Sequence, residues 1–105
     1  KLIMNLDFVL IGPVRQEILS GIADRRRFDD LREKLAHFED HKTETRDYEL
    51  AARFYNYSRS HGIQGSHIDF LICAVAANND LPIMTLDKDF ENYKRYVKIK
   101  LEETV

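Results

Sequence analysis

Four acids set the chemistry this chain could perform: Glu17, Asp69, Asp87 and Asp89. Each stands in or beside an otherwise apolar or capping segment. Glu17 follows the apolar run Phe8-Val9-Leu10-Ile11-Gly12-Pro13-Val14, and Asp69 lies within Ser66-His67-Ile68-Asp69-Phe70-Leu71-Ile72-Cys73-Ala74. Asp87 and Asp89 close the segment Leu81-Pro82-Ile83-Met84-Thr85-Leu86-Asp87-Lys88-Asp89-Phe90. Carboxylates distant in sequence that converge in space make a hard-oxygen site suited to Mg²⁺ or Mn²⁺. A site of that kind can drive phosphoryl transfer without a nucleophilic side chain.

Each acid also has a plainer role. Ser66-x-x-Asp69 fits a capping box, in which serine and acid satisfy amides at a helix start. An acid between a strand and a helix, as Asp87 is, routinely serves as an N-cap. Asp89 would favour the same helix through its dipole. Glu17 could be a solvated helix residue, although it shares a face with Val14, Ile18 and Gly21. Their joint placement favours the functional reading, because ligands of parallel α/β sheets bind at the carboxyl ends of strands. Crowded carboxylates repel and need a cation or a proton to coexist.

The elements that would position these acids alternate between strand and helix. Phe8 to Ile11 is a continuous apolar run that reads as a strand buried on both faces. Gly12-Pro13 then starts a helix carrying Val14, Ile18 and Ile22 at helical spacing, with proline at a position that needs no amide donor. Asp24 to Phe38 is an amphipathic helix through Phe28, Leu31, Leu35 and Phe38, and Glu39 to Thr43 is a polar connection. Thr45 to His61 is the clearest helix, with Tyr48, Ala51, Ala52, Tyr55 and Arg59 on one face and Gly62 as its stop. Ile68 to Ala77 is helical and apolar on most sides, hence largely buried. Leu81 to Leu86 is a second strand, with Pro82 tolerable only near its start. Lys88 to Tyr96 is a short helix and Val97 to Leu101 a last strand. Strands separated by helices argue for a parallel sheet with helices on its faces.

Composition bounds the function classes. A chain of 105 residues, 44% hydrophobic and 32% charged, has the balance of one globular domain spanning 1–105. No apolar run is long enough to span a bilayer, and no signal peptide is readable. The single cysteine, Cys73, excludes an internal disulfide and a cysteine-based zinc cluster. Its apolar neighbours make it a buried, inert thiol. A cytoplasmic location with no membrane association is therefore expected. The net charge of −2 means that contact with phosphates must come from local patches or from bound metal. His37 and His41 have the spacing of a zinc pair but no third ligand. Arg25-Arg26-Arg27 and the cluster Lys94, Arg95, Lys98 and Lys100 read first as solvated faces. Tyr48, Phe54, Tyr55 and Tyr57 read as packing residues.

Taken in order, these segments resemble a family. Gly12-Pro13-Val14-Arg15-Gln16-Glu17-Ile18-Leu19-Ser20-Gly21 resembles the second-acid segment of PIN-domain ribonucleases, in particular the VapC-type toxins of bacterial toxin–antitoxin pairs. Tyr48-Glu49-Leu50-Ala51-Ala52 and the stretch from Gly62 to Ala77 resemble the central helices of that family. Ser66-x-x-Asp69 resembles its third-acid segment, and Thr85-Leu86-Asp87-Lys88-Asp89-Phe90 its fourth. The similarity runs from Phe8 to Tyr96. It implies a PIN-like α/β/α fold, a parallel sheet flanked by helices, and Mg²⁺- or Mn²⁺-dependent endoribonuclease activity. It also implies inhibition by a cognate antitoxin and a homodimer. By motif match Glu17, Asp69 and Asp87 are the expected metal-binding and catalytic acids, Asp89 a further ligand, and Ser66 and Thr85 hydroxyls that orient carboxylates or water.

The family's first acid lies on an N-terminal strand, and nothing before Glu17 matches it. Asp7 precedes the strand run and does not fit. Lys1 to Asn5 looks like the tail of a helix, so a missing N-terminal strand–helix unit is expected; a βαβ unit needs roughly 30 residues. Two readings compete with the nuclease. One is a non-catalytic PIN-like module that docks RNA or a protein partner, and the other a phosphohydrolase acting on small molecules.

Overall fold

The computed structural model describes residues 10–85 and 87–102. The expectations for Lys1 to Asn5, Asp7, Phe8, Val9 and Leu86 fall outside the described residues. The protein divides into two compact units, Lys1–Lys42 and Thr43–Val105.

In the first unit α1 spans Gly12–Ser20 and α2 spans Arg25–Leu35. Ile11 is the extended residue ahead of α1, which makes Pro13 the second helical residue rather than the first. Asp24 caps α2, its side chain accepting the Arg27 amide at 3.0 Å. The helix stops at Leu35, three residues short of Phe38. Arg15 explains how that end is satisfied. Its Nη1 donates to the Leu35 carbonyl at 2.8 Å, its Nη2 to the Phe38 carbonyl, and its Nε to Asp40 at 2.7 Å. Carbonyls at a helix end have no intrahelical donor, and a guanidinium supplies several at once. Leu10 and Asp40 form a parallel bridge, so the segment expected to be a plain connection carries extended pairing.

In the second unit α3 (Thr45–Ser60), α4 (His67–Asn78), β1 (Pro82–Ile83), α5 (Asp89–Lys94) and β2 (Lys100–Leu101) follow in order. Gly62 takes φ 79°, the left-handed conformation that ends α3 as expected. α4 buries Phe70, Leu71, Cys73, Ala74, Val75 and Ala76. β1 and β2 pair in parallel, Pro82 opposite Lys100 and Ile83 opposite Leu101, with α5 as the crossover. The strands are shorter than the apolar runs suggested: two residues each, in a two-stranded sheet among the described residues. Phe70, Cys73, Ala76, Ile83, Phe90, Tyr93, Val97 and Ile99 form the core, with Phe54, Tyr55 and Ile63 packed against it. Tyr48 and Tyr57 depart from the packing expectation, at 57% and 52% exposed. No helix among the described residues is long and apolar enough to cross a membrane.

One buried charge ties α3 to α4. Asp47 is 0% exposed. Its Oδ2 accepts the Glu44 amide at 2.9 Å, completing a capping box with Glu44. Its Oδ1 accepts Asn78 Nδ2 at 2.8 Å, across 31 residues. Asp47→Ala leaves both donors without that acceptor and removes the cap, a loss of about 2–4 kcal/mol. Urea denaturation measures it. A loss well under 1 kcal/mol would mean that other groups replace the carboxylate at no cost.

Candidate active site

Asp69 occupies the first turn of α4, directly after the break at Gly65-Ser66. The Ser66 hydroxyl accepts the Asp69 amide at 3.1 Å, so serine is the N-cap. The reciprocal half of the expected capping box is not made. Asp69 Oδ2 instead accepts the hydroxyl of Tyr93, a residue of α5, at 2.8 Å. The plain capping role therefore accounts for Ser66 and not for the Asp69 carboxylate.

Asp87 and Asp89 are placed by local hydrogen bonds after β1. Thr85 Oγ1 accepts the Asp87 amide at 3.0 Å, and Asp87 Oδ1 accepts the Asp89 amide at 2.9 Å. Short polar side chains hold tight turns in this way, by bonding backbone two residues on. Asp87 thus bonds the first amide of α5, but the expected N-cap position is taken by Lys88, which makes no side-chain capping bond. Ser66 and Thr85 act on the backbone amides of the acids rather than on their carboxylate oxygens. Asp87 and Asp89 are exposed and Asp69 is half-buried.

Tyr93 shows that three of these acids share one neighbourhood. Its phenol is pushed well above the usual tyrosine range, first by burial, then by the bond to Asp69 and the negative fields of Asp69, Asp89 and Asp87. The hydroxyl consequently stays protonated and available as a donor. Glu17 belongs to the first unit, where it is exposed on α1. Arg25, Arg26 and Arg27 are exposed, as are Lys94, Arg95, Lys98 and Lys100, and Lys100 pairs with Asp80. His37 and His41 both lie beyond the end of α2, so their four-residue spacing is not a helical pair.

The donor chemistry of these acids is that of a hard divalent cation. Among the described residues, however, no group of three His, Cys, Asp or Glu is placed to hold a metal ion. The described residues on their own do not make a complete metal centre. Sequence reasoning missed Tyr93, Gly65, Asp47 and Arg15. Tyr93 and Asp69 are 24 residues apart, and no short motif signals a contact of that separation.

The PIN-domain model matches residues 1–96, and the chain belongs to the PIN-domain family. PIN domains are generally metal-dependent nucleases that act on RNA. A search of curated proteins finds no significant match.

Cys73 lies one turn along α4 from Asp69 and is fully buried. Burial, and then the field of Asp69, push its thiol from 9.0 up to about 12. A thiol reagent at neutral pH is expected to leave Cys73 unmodified until the protein unfolds; native-state labelling would contradict its burial. A raised folded pKa stabilises fully below the unfolded value, and that contribution is lost as pH rises from 9.0 to about 12. Cys73→Ala should accordingly flatten the fall in stability across that window.

Proposed function

We propose that this PIN-domain protein is an endoribonuclease dependent on Mg²⁺ or Mn²⁺, of the VapC toxin type, neutralised by a cognate antitoxin. One observation carries this reading: Asp69 holds the Tyr93 hydroxyl, and the negative fields of Asp87 and Asp89 reach the same phenol, within a chain that matches the PIN model. Glu17, Asp69 and Asp87 are assigned as the catalytic, metal-binding acids and Asp89 as a further ligand, with Ser66 and Thr85 supporting them. What supports the assignment is their order along the chain and their residue type.

A divalent ion in such a site supplies charge compensation for crowded carboxylates and activation of a water. The reaction is hydrolysis of a phosphodiester: water adds at phosphorus, one P–O ester bond breaks, and the leaving oxygen gains a proton. The chain's own contribution is positional. The Ser66 cap and the Tyr93 hydroxyl fix Asp69, and the Thr85–Asp87–Asp89 turn fixes the acids after β1. A homodimer and an antitoxin that covers the acids belong to the same reading.

Asp69→Asn tests it well, because an amide oxygen can still accept the Tyr93 hydroxyl and the fold should persist. The wild-type protein is expected to cleave RNA with Mg²⁺ or Mn²⁺ and to stop with EDTA, and Asp69→Asn to abolish cleavage with little change in melting temperature. Undiminished cleavage by the variant would remove Asp69 from the chemistry. The incomplete ligand set among the described residues favours a second reading, a non-catalytic module that binds RNA or a protein partner. RNA binding by the wild-type protein that is indifferent to EDTA, with no cleavage, would select it.

A further inference from the structure

Gly65 sits where no side chain fits. A Cβ there would stand 2.7 Å from the Tyr93 hydroxyl and 2.8 Å from Phe70 Cε2. Its backbone does not adopt a positive φ, unlike Gly62, so chain conformation does not call for glycine. Close approach does: the bare backbone forms one wall around the Tyr93 phenol. Phe70 and Phe90 form other walls, with ring centroids at 4.9 and 5.1 Å, and Tyr93 is left 1% exposed. From this slot the hydroxyl donates to Asp69 Oδ2 at 2.8 Å.

The asymmetry of Asp69 is the informative part. Oδ2 is occupied by Tyr93, whereas Oδ1 has no hydrogen-bond partner among the described residues. An aspartate has several staggered χ1 wells and a broad terminal torsion beyond them, so an unheld Asp69 would move between rotamers and present either oxygen in many orientations. A donor in a rigid slot removes that freedom before any ligand arrives.

We propose that Tyr93 is a positioning residue for Asp69, its buried hydroxyl holding one carboxylate oxygen so that the other alone is offered to a ligand. Gly65 is part of the device, because any side chain there would displace the phenol. A phenylalanine would fill the same ring space, so the hydroxyl is the group that acts. In its kinetic consequence the inference rests on the nuclease reading above; in its structural consequence it does not.

Tyr93→Phe separates the two, read by NMR couplings of the Asp69 β-protons and by RNA cleavage kinetics. The wild-type protein should show a single Asp69 rotamer, and Tyr93→Phe averaged couplings at an unchanged fold. Cleavage should lose roughly 10–100-fold in kcat, the usual effect of losing an outer partner of a functional carboxylate, with KM little changed. Gly65→Ala should reproduce the kcat loss with the phenol still present. A single Asp69 rotamer in Tyr93→Phe would overturn the proposal, as would full kcat in an active protein. If the wild-type protein cleaves no RNA, the nuclease reading fails and the couplings alone decide the role of Tyr93.

Discussion

A phenol with 1% exposure must find an acceptor or leave the core unsatisfied. In this protein the acceptor is Asp69, and much of the second unit follows from that requirement. The bond fastens the N-terminus of α4 to α5. It places a carboxylate at the edge of a core made of Phe70, Cys73, Phe90 and their neighbours. It also explains why the chain between α3 and α4 must carry a residue without a side chain at position 65. A hydrogen bond to a charged acceptor contributes more than a neutral one, and its loss in a buried setting costs the desolvation of both groups. Architecture and candidate chemistry therefore meet in the same pair of atoms.

The opposite end of α4 is held by similar means. Asp47, buried completely, joins the start of α3 to Asn78 near the end of α4. The two helices are thus fixed by apolar packing between them and by a polar contact at this end. The parallel β1–β2 ladder then needs only two residues in each strand, because α5 and the apolar side chains Ile83, Val97 and Ile99 supply the burial. The acids that follow β1 sit in a turn organised by their own side chains, which is how an exposed segment keeps a defined shape.

Arg15 has the corresponding role in the first unit. Its exchange with Asp40 is partly exposed, and a pair of that kind contributes about 0–1 kcal/mol. Its bonds to the Leu35 and Phe38 carbonyls matter more, since they satisfy the end of α2 that the sequence leaves open. The match to the PIN family covers this unit as well as most of the second.

The sequence by itself determined the helices, the stop at Gly62, the cap at Ser66, the buried thiol and the PIN resemblance. These depend on periodicity, local chirality and side chains that bond backbone a few residues away, all of which are written within one or two turns of chain. Strand lengths were less legible: Leu81 to Leu86 is apolar enough for a full strand, yet Thr85 and Asp87 use their side chains to turn the backbone out of the ladder after Ile83. Only tertiary structure decided what the acids touch. Asp69 read as half of a capping box because its nearest amides are local, and its carboxylate instead accepts a buried donor 24 residues away. Asp47 and Arg15 were invisible for the same reason: a charged residue on a helix looks solvated until the fold brings a partner from 20 or 31 residues away.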